Sequence, residues 1–177
     1  MVIESLNAEL EALSRFTRQY MTFAAIGTPV LQPISLRAMI EEFRTTFADA
    51  WPGVTLGCAG ADAIVCADRD MLRQILVNLC TNSARVMSGG GTVMLSIIKS
   101  GRSVALDVSD NGHGIADSLR DRVFDPYVTT QEVGEGMGLG LSISRKILLD
   151  HGGDLQLLAT SETGTTFRIT FGESECS

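Results

Sequence analysis

Positive charge is scarce in this sequence. Of 177 residues, 14 are Lys or Arg and 21 are Asp or Glu, a formal net charge of −7. A dedicated nucleic-acid binder draws its affinity from a basic surface, so no nucleic acid is expected as a partner. A local basic pocket for a phosphate ligand remains compatible with that balance. Long apolar runs are missing too. No unbroken stretch approaches the ~20 residues of a membrane-spanning helix, and no transmembrane segment is expected. The opening Met1-Val-Ile-Glu-Ser-Leu-Asn-Ala-Glu-Leu lacks the basic flank and apolar stretch of a signal peptide. The four cysteines, Cys58, Cys66, Cys80 and Cys176, form no Cys-x-x-Cys pair, and two histidines are too few to complete a zinc set with them. A reduced thiol set is the economical expectation. What is present is 45% hydrophobic and 20% charged residues. At this length such a chain buries roughly 70% of its unfolded surface and needs no disulfide or metal to hold a core. The expectation is a soluble, cytoplasmic α/β domain.

Periodicity orders the chain. Ile3, Leu6, Leu10, Leu13, Thr17, Tyr20 and Ala24 recur at spacings of three and four. That seam suits a helix packed on a partner helix, or an amphipathic helix folded onto this chain's own domain. Gly27-Thr-Pro29 ends it, because proline disfavours helical geometry in the preceding residue. A second helix is predicted from an N-cap at Ser35 to about Asp49, on Leu36, Met39, Ile40, Phe43 and Phe47. Trp51-Pro-Gly53 turns the chain toward short strands at Val54–Leu56 and Ile64–Cys66. Asp68 caps a third helix reaching about Met87, with Met71, Leu72, Ile75, Leu76, Leu79, Val86 and Met87 on its apolar face. Gln74, Asn78, Asn82 and Arg85 form a polar stripe along the edge of that face. Strands Thr92–Ile98 and Ser103–Ser109 read as a hairpin, and Asp110 to Gly140 mostly as loop. A helix from near Leu139 to about His151 follows, then strands Leu155–Ala159 and Thr165–Phe171.

Three constellations carry chemistry. Asn78, Asn82 and Arg85 share one helical stripe by their spacing. An asparagine amide offers a neutral oxygen to a hard cation, and an arginine one turn on can meet phosphate oxygens. A solvated helix face is the competing reading. Asp110-Asn-Gly112-His-Gly114-Ile115 follows an apolar strand. A carboxylate there can accept from an exocyclic amine while the glycines let backbone approach a ligand, although Asp-Asn-Gly is also an ordinary turn. His113 reads as a loop residue. Gly134-Glu-Gly136-Met-Gly138-Leu-Gly140-Leu-Ser142 runs into a helix, so its backbone N–H groups and the helix start suit an anionic phosphate chain. It lacks the Gly-Lys-Ser/Thr of a Walker A loop and the context of a dinucleotide fingerprint.

In this order and spacing the segments resemble the ATP-binding domain of sensor histidine kinases, in the superfamily that includes gyrase, the Hsp90 chaperones and MutL. Asn78-Leu-Cys-Thr-Asn82-Ser-Ala-Arg85 resembles the N box, and Asp110-Asn-Gly-His-Gly-Ile115 the first glycine box. Val123-Phe124-Asp-Pro126-Tyr127 resembles the F box and Gly136-Met-Gly138-Leu-Gly140-Leu the second glycine box. Gly164-Thr165-Thr166-Phe167 resembles the late strand motif whose threonine helps hold adenine. The resemblance implies a two-layer α/β sandwich, the Bergerat ATP-binding fold, with a mixed sheet covered by helices on one face. It divides the chain into a helix over 1–26 like the second helix of a dimerisation hairpin, an ATP-binding domain over 27–172 and a tail over 173–177.

By the same resemblance, Asp110 bonds the adenine amine with Thr165 assisting, Asn82 reaches Mg²⁺, and Arg85 holds the place of a basic phosphate contact. Catalysis is assigned to Asn78, which also joins the ATP-binding set. That set further contains Gly112, Gly114, Ile115, Phe124, Tyr127, Thr129, Thr130, Gly136, Met137, Gly138, Leu139, Gly140 and Leu141. The segment between Phe124 and Gly136 is the expected lid. ATP and Mg²⁺ are the implied cofactors. Histidine-bearing dimerisation helices and a response regulator receiver domain are the implied partners, with a homodimer through the N-terminal helix. Two departures stand out. Tyr127-Val128-Thr129-Thr130-Gln131 carries glutamine where a subgroup with a short lid has lysine, and neither His113 nor His151 has a phosphoacceptor's context. Phosphate transfer to a histidine on a separate helix is the leading expectation. A gyrase-type hydrolase is disfavoured because an amide at Asn78 cannot act as the general base. A non-catalytic nucleotide-binding or docking module is the remaining alternative.

Overall fold

The structure, a computed structural model, describes residues 28–87, 89–129 and 138–172. The helix expected over 1–26 and the tail lie outside these residues. The elements run β1 (Gln32–Ser35), α1 (Leu36–Thr46), β2 (Val54–Ala59), β3 (Ile64–Ala67), α2 (Arg69–Arg85), β4 (Gly91–Ser100), β5 (Ser103–Asp110), α3 (Asp117–Arg120), α4 (Gly140–Asp150), β6 (Asp154–Ser161) and β7 (Gly164–Thr170). Five strands form one sheet in the order β2-β4-β5-β7-β6. β2 pairs with β4 in parallel and the remaining neighbours are antiparallel, so the sheet is mixed as expected.

Alternation along the strands decides which face meets the helices. Val93, Leu95 and Ile97 of β4 are buried, whereas Met94 and Ile98, which alternate with them, are exposed. Leu106 and Val108 of β5, Phe167 and Ile169 of β7, and Leu155 of β6 continue the buried face. Leu36, Met39, Ile40 and Phe43 of α1, Leu72, Ile75, Leu76 and Leu79 of α2, and Ile143, Ile147 and Leu148 of α4 join them in one core. The result is two layers. Across the opposite sheet face, Arg168 grips Asp107 through two hydrogen bonds of 2.7 Å, tying β7 to β5.

Capping sets the helix starts. The Ser35 hydroxyl accepts from Ala38 N at 3.1 Å, and Asp68 accepts from Asp70 N and Met71 N at 3.0 and 3.1 Å. The other Asp68 oxygen accepts from Val30 N at 2.9 Å, which pins the segment entering the domain to the start of α2. Helix ends are shorter than the periodicity predicts. α1 stops at Thr46 and α2 at Arg85, because Phe47 and Val86 leave helical geometry; Phe47 N closes a last helical bond to Phe43 O, and Val86 N turns back to Ser83 O.

Three sequence expectations need correction. β1 was not foreseen. Pro33 within it removes a donor and argues against a strand, yet β1 needs only one partner, β3, in a separate two-stranded sheet. The stretch after Asp110 contains the short helix α3. The thiols are not all reduced: Cys58 and Cys80 are free, but Cys66 is disulfide-bonded. Spacing along a chain does not report which sulfurs meet in space. Burial pushes the Cys80 thiol up to about 12, which leaves it inert near neutral pH.

One ion pair joins the last helix to the sheet. Arg145 of α4 donates to both oxygens of Asp154 at the start of β6, at 2.9 and 3.4 Å. Burial pushes the Asp154 carboxyl up, but hydrogen bonds from Arg145 and Leu155 N, with the Arg145 charge, outweigh it and hold the group below its usual value. The pair therefore stabilises the fold fully above the unfolded value of ~3.9, and the contribution disappears as pH falls through the lower folded value. Thermal unfolding of the native chain and Asp154→Asn, followed from about pH 6 downward, should show a stability gap that closes below about pH 4. A gap that widened on acidification would contradict the assignment.

Candidate functional site

The site grows from the end of β5. Asp110 is the last residue of that strand, and its carboxylate is held from three directions. Gly112 N and Thr165 N donate to Oδ1 at 3.0 and 3.1 Å, and the Ser83 hydroxyl donates to Oδ2 at 2.9 Å. The donors come from the glycine loop, from β7 and from α2. Thr165 is itself buried, and its hydroxyl lies 3.2 Å from that of Thr160 on β6. Thr160 Oγ1 also accepts from Ile115 N at 2.8 Å, which fastens the far end of the glycine loop to the sheet edge. Asn111 plays a different part: its Oδ1 accepts from Thr92 N at 2.8 Å and holds the turn onto β4.

A second cluster joins α2 to α4. Asn78 Nδ2 donates to Gly140 O at 3.3 Å and to Ser144 Oγ at 3.2 Å. Its amide nitrogen is thus committed to the neighbouring helix, and Oδ1 is the atom left for a ligand. Asn82, one turn on, is half-buried and makes no side-chain hydrogen bond among the described residues. Arg85 is exposed at the last turn of α2 and forms no ion pair among the described residues. Asn78 and Ser83 are five residues apart on α2, about 7.5 Å along the helix axis, so one helix carries both clusters.

The second glycine segment is described only from Gly138 onward. Gly138 has φ +64°, and its carbonyl accepts from Tyr127 N at 3.1 Å. A side chain there would overlap the Val128 carbonyl oxygen. Gly140 is the first residue of α4, so the N–H groups of the first turn point away from the helix toward the segment before it. Leu139 is buried and Leu141 packs on the core, which leaves their backbone rather than their side chains for a ligand. Phe124 stands edge-on to Phe167 at 6.2 Å with Arg145 at 5.0 Å over its ring, anchoring the loop to the sheet. Tyr127 is exposed with φ 67°, and Thr129 is also exposed. Thr130, Gln131, Gly136 and Met137 lie outside the described residues.

Of the two histidines, His113 is exposed in the glycine loop. His151 is buried at the C-cap of α4 with both ring nitrogens engaged, Nδ1 with Ile147 O at 2.7 Å and Nε2 accepting from Asp68 N at 3.0 Å. It joins α4 to the start of α2. Among the described residues no three His, Cys, Asp or Glu side chains cluster to hold a metal. The oxygens on offer are the neutral amides of Asn78 and Asn82, donors that suit a cation already carrying phosphate and water ligands.

Ser83, Thr160 and Ser144 were not singled out in the sequence. Ser83 had one visible signal. It sits four residues after Leu79, on the apolar side of α2, and a polar residue in a core position requires a partner.

A mixed sheet under helices, with a strand-end carboxylate and a helix start facing one α2 stripe, defines a two-layer α/β ATPase domain. Residues 67–175 match the model of histidine kinase-, DNA gyrase B- and HSP90-like ATPases, and the chain belongs to that family. It is 29% identical over 166 residues to the signal transduction histidine-protein kinase AtoS of Escherichia coli strain K12, covering 91% of this chain and 27% of AtoS. It thus spans about a quarter of that relative's length. The solved catalytic domain of histidine kinase ThkA superposes with a TM-score of 0.70 at 27% identity, covering 81% of this chain and 95% of that one. ThkA in complex with the response regulator protein TrrA shares the fold, with a TM-score of 0.77 at 24% identity over 98% of this chain and 51% of that one.

Gly114 tests the loop geometry. It has φ +75°, and a Cβ there would overlap the Ser161 carbonyl oxygen on β6. Gly114→Ala should therefore destabilise the domain by more than about 1 kcal/mol, measured by urea unfolding. An unchanged midpoint would mean the loop is free to move off β6.

Proposed function

We propose that this chain is the ATP-binding catalytic part of a two-component sensor histidine kinase. It binds ATP with Mg²⁺ between α2, α4 and the lid and donates the γ-phosphoryl group to a histidine on a separate helical hairpin. The phosphoryl group then passes to an aspartate of a response regulator receiver domain. The observation that carries the reading is the Asp110 carboxylate, held by donors from three segments with acceptor capacity left on Oδ2 for the adenine amine. Thr165 supports that end, and the N-terminal turn of α4, starting at Gly140, would offer its backbone N–H groups to the phosphates. Arg85, free of carboxylates among the described residues, serves as a phosphate contact. Asn82, with its uncommitted amide, would hold the Mg²⁺ that accompanies ATP, and the ion when bound offsets phosphate charge.

Asn78 supports transfer over hydrolysis. Its Nδ2 positions it against α4, and an amide cannot take a proton from water. Asn78 thus acts by orientation, holding α2 and α4 at a set separation around the phosphates. The acceptor must come from outside this domain, since His151 has both nitrogens occupied and His113 belongs to the glycine loop. The helix over 1–26 is read as the second helix of the dimerising hairpin, placing the chain in a homodimer. No helix among the described residues is long and apolar enough to cross a membrane, and we read this part of the protein as cytoplasmic. A non-catalytic docking module is favoured by one feature, Gln131 at the lid position where a short-lid subgroup has lysine.

Asp110→Asn must turn its NH2 either toward the adenine amine or toward the two backbone N–H groups that Oδ1 now serves, so one side is mispaired. ATP affinity should fall by about 1–3 kcal/mol, the cost of a mispaired buried group. Asn82→Ala should weaken ATP binding in the presence of Mg²⁺ more than in its absence. Calorimetric titration that found both variants unchanged would place the site elsewhere.

Incubated alone with radiolabelled ATP, the chain should bind nucleotide without labelling itself. Added hairpin carrying an acceptor histidine should take up acid-labile label. Label on the chain alone would mean the acceptor is misplaced. A hairpin that stayed unlabelled with the native chain and with Gln131→Lys would favour the docking module.

A further inference from the structure

A carboxylate offers about four lone-pair directions, and three of those on Asp110 are filled within the domain. Gly112 N and Thr165 N take both places on Oδ1, and Ser83 takes one on Oδ2. Ser83 is only 5% exposed and sits in the last turn of α2. A serine there commonly turns its hydroxyl back to the carbonyl one turn earlier. This one donates across to Asp110 instead, so its single proton is spent. What the Ser83–Asp110 pair has left is lone pairs on both oxygens and no donor. Such a pair accepts from an N–H group and repels a carbonyl oxygen.

We propose that Ser83 is a specificity-determining residue that fixes the acceptor-only Asp110 carboxylate in place and keeps a donor water from it, selecting a nucleotide base with an exocyclic amine over one with an oxo group at the same position. The inference rests on the ATP-site reading above. Ser83 acts in two ways. It orients Oδ2, so the remaining acceptor direction is set before the ligand arrives. It also occupies space that a water would otherwise fill, and a water can rotate to donate to a carbonyl oxygen. Turning the serine itself toward an oxo base would break its bond to the carboxylate and leave that oxygen underpaired.

The test compares ATP with ITP, which carries an oxo group in place of the amine, by calorimetric titration on the full chain. Ser83→Ala should admit a water that can donate, so ITP should bind more tightly while ATP binds no better, and the ATP:ITP preference should fall about tenfold, the worth of one water-mediated hydrogen bond. Ser83→Cys, a weak donor of similar size, should give a preference between those of the native chain and the Ala variant. Thermal unfolding without nucleotide accompanies each variant. A native chain that binds ATP, with an Ala variant whose preference stays within about twofold, would overturn the proposal. So would equal weakening of both nucleotides, which marks Ser83 as a support of the fold alone. A native chain that binds neither nucleotide would instead remove the ATP-site reading, and this inference with it.

Discussion

A carboxylate drawn half out of water at the end of a strand must find donors, and the way Asp110 finds them organises the domain. One oxygen takes backbone N–H groups from the glycine loop and from β7. The other takes a hydroxyl from α2. Each bond joins a different element to the end of β5, so the carboxylate fixes sheet, loop and helix relative to one another. Breaking one of these bonds leaves a polar group short of a partner and loosens the joint between sheet, loop and helix.

The same economy recurs between α2 and α4. Asn78 ties α2 to the first turns of α4, and His151 ties the end of α4 back to the N-cap of α2. Both ends of α4 are thus tied to α2, at its middle and at its N-cap, by side chains whose hydrogen bonds are local and directional. Hydrophobic packing, being non-directional, brings α2 and α4 together through Leu79, Ile143 and Ile147. The polar ties then set where Gly140 stands relative to the α2 stripe. Asp68 belongs to this frame as well, since its second oxygen holds the segment that enters the domain. The start of α2 therefore meets both the incoming chain and the end of α4.

Much of this was legible in the residues before any coordinates. The apolar spacing of Leu72, Ile75, Leu76 and Leu79 states which side of α2 is buried, and the Asp68 cap states where the helix starts. The alternation in Thr92–Ile98 gives the buried face of β4. Asp110, Asn82 and the glycine segments were recognisable by type and order, because amide, carboxylate and glycine each have a narrow chemical use. β1 was hidden because Pro33 argues against a strand and its pairing to β3 is long-range. Phe124 and Leu139 were named for the ligand, yet their side chains serve packing.

Local sequence determined the elements, their caps, the buried faces and the inventory of ligand-directed groups, since each follows from periodicities of two or 3.6 and from intrinsic side-chain chemistry. Only the tertiary structure decided which groups meet. That Ser83 reaches Asp110 across 27 residues, that Asn78 spends its amide on α4, and that His151 is a tie between helices depend on distances between elements far apart in the chain. A side chain's type says what it can bond. Its partner is set by where the core's packing holds the elements that carry both.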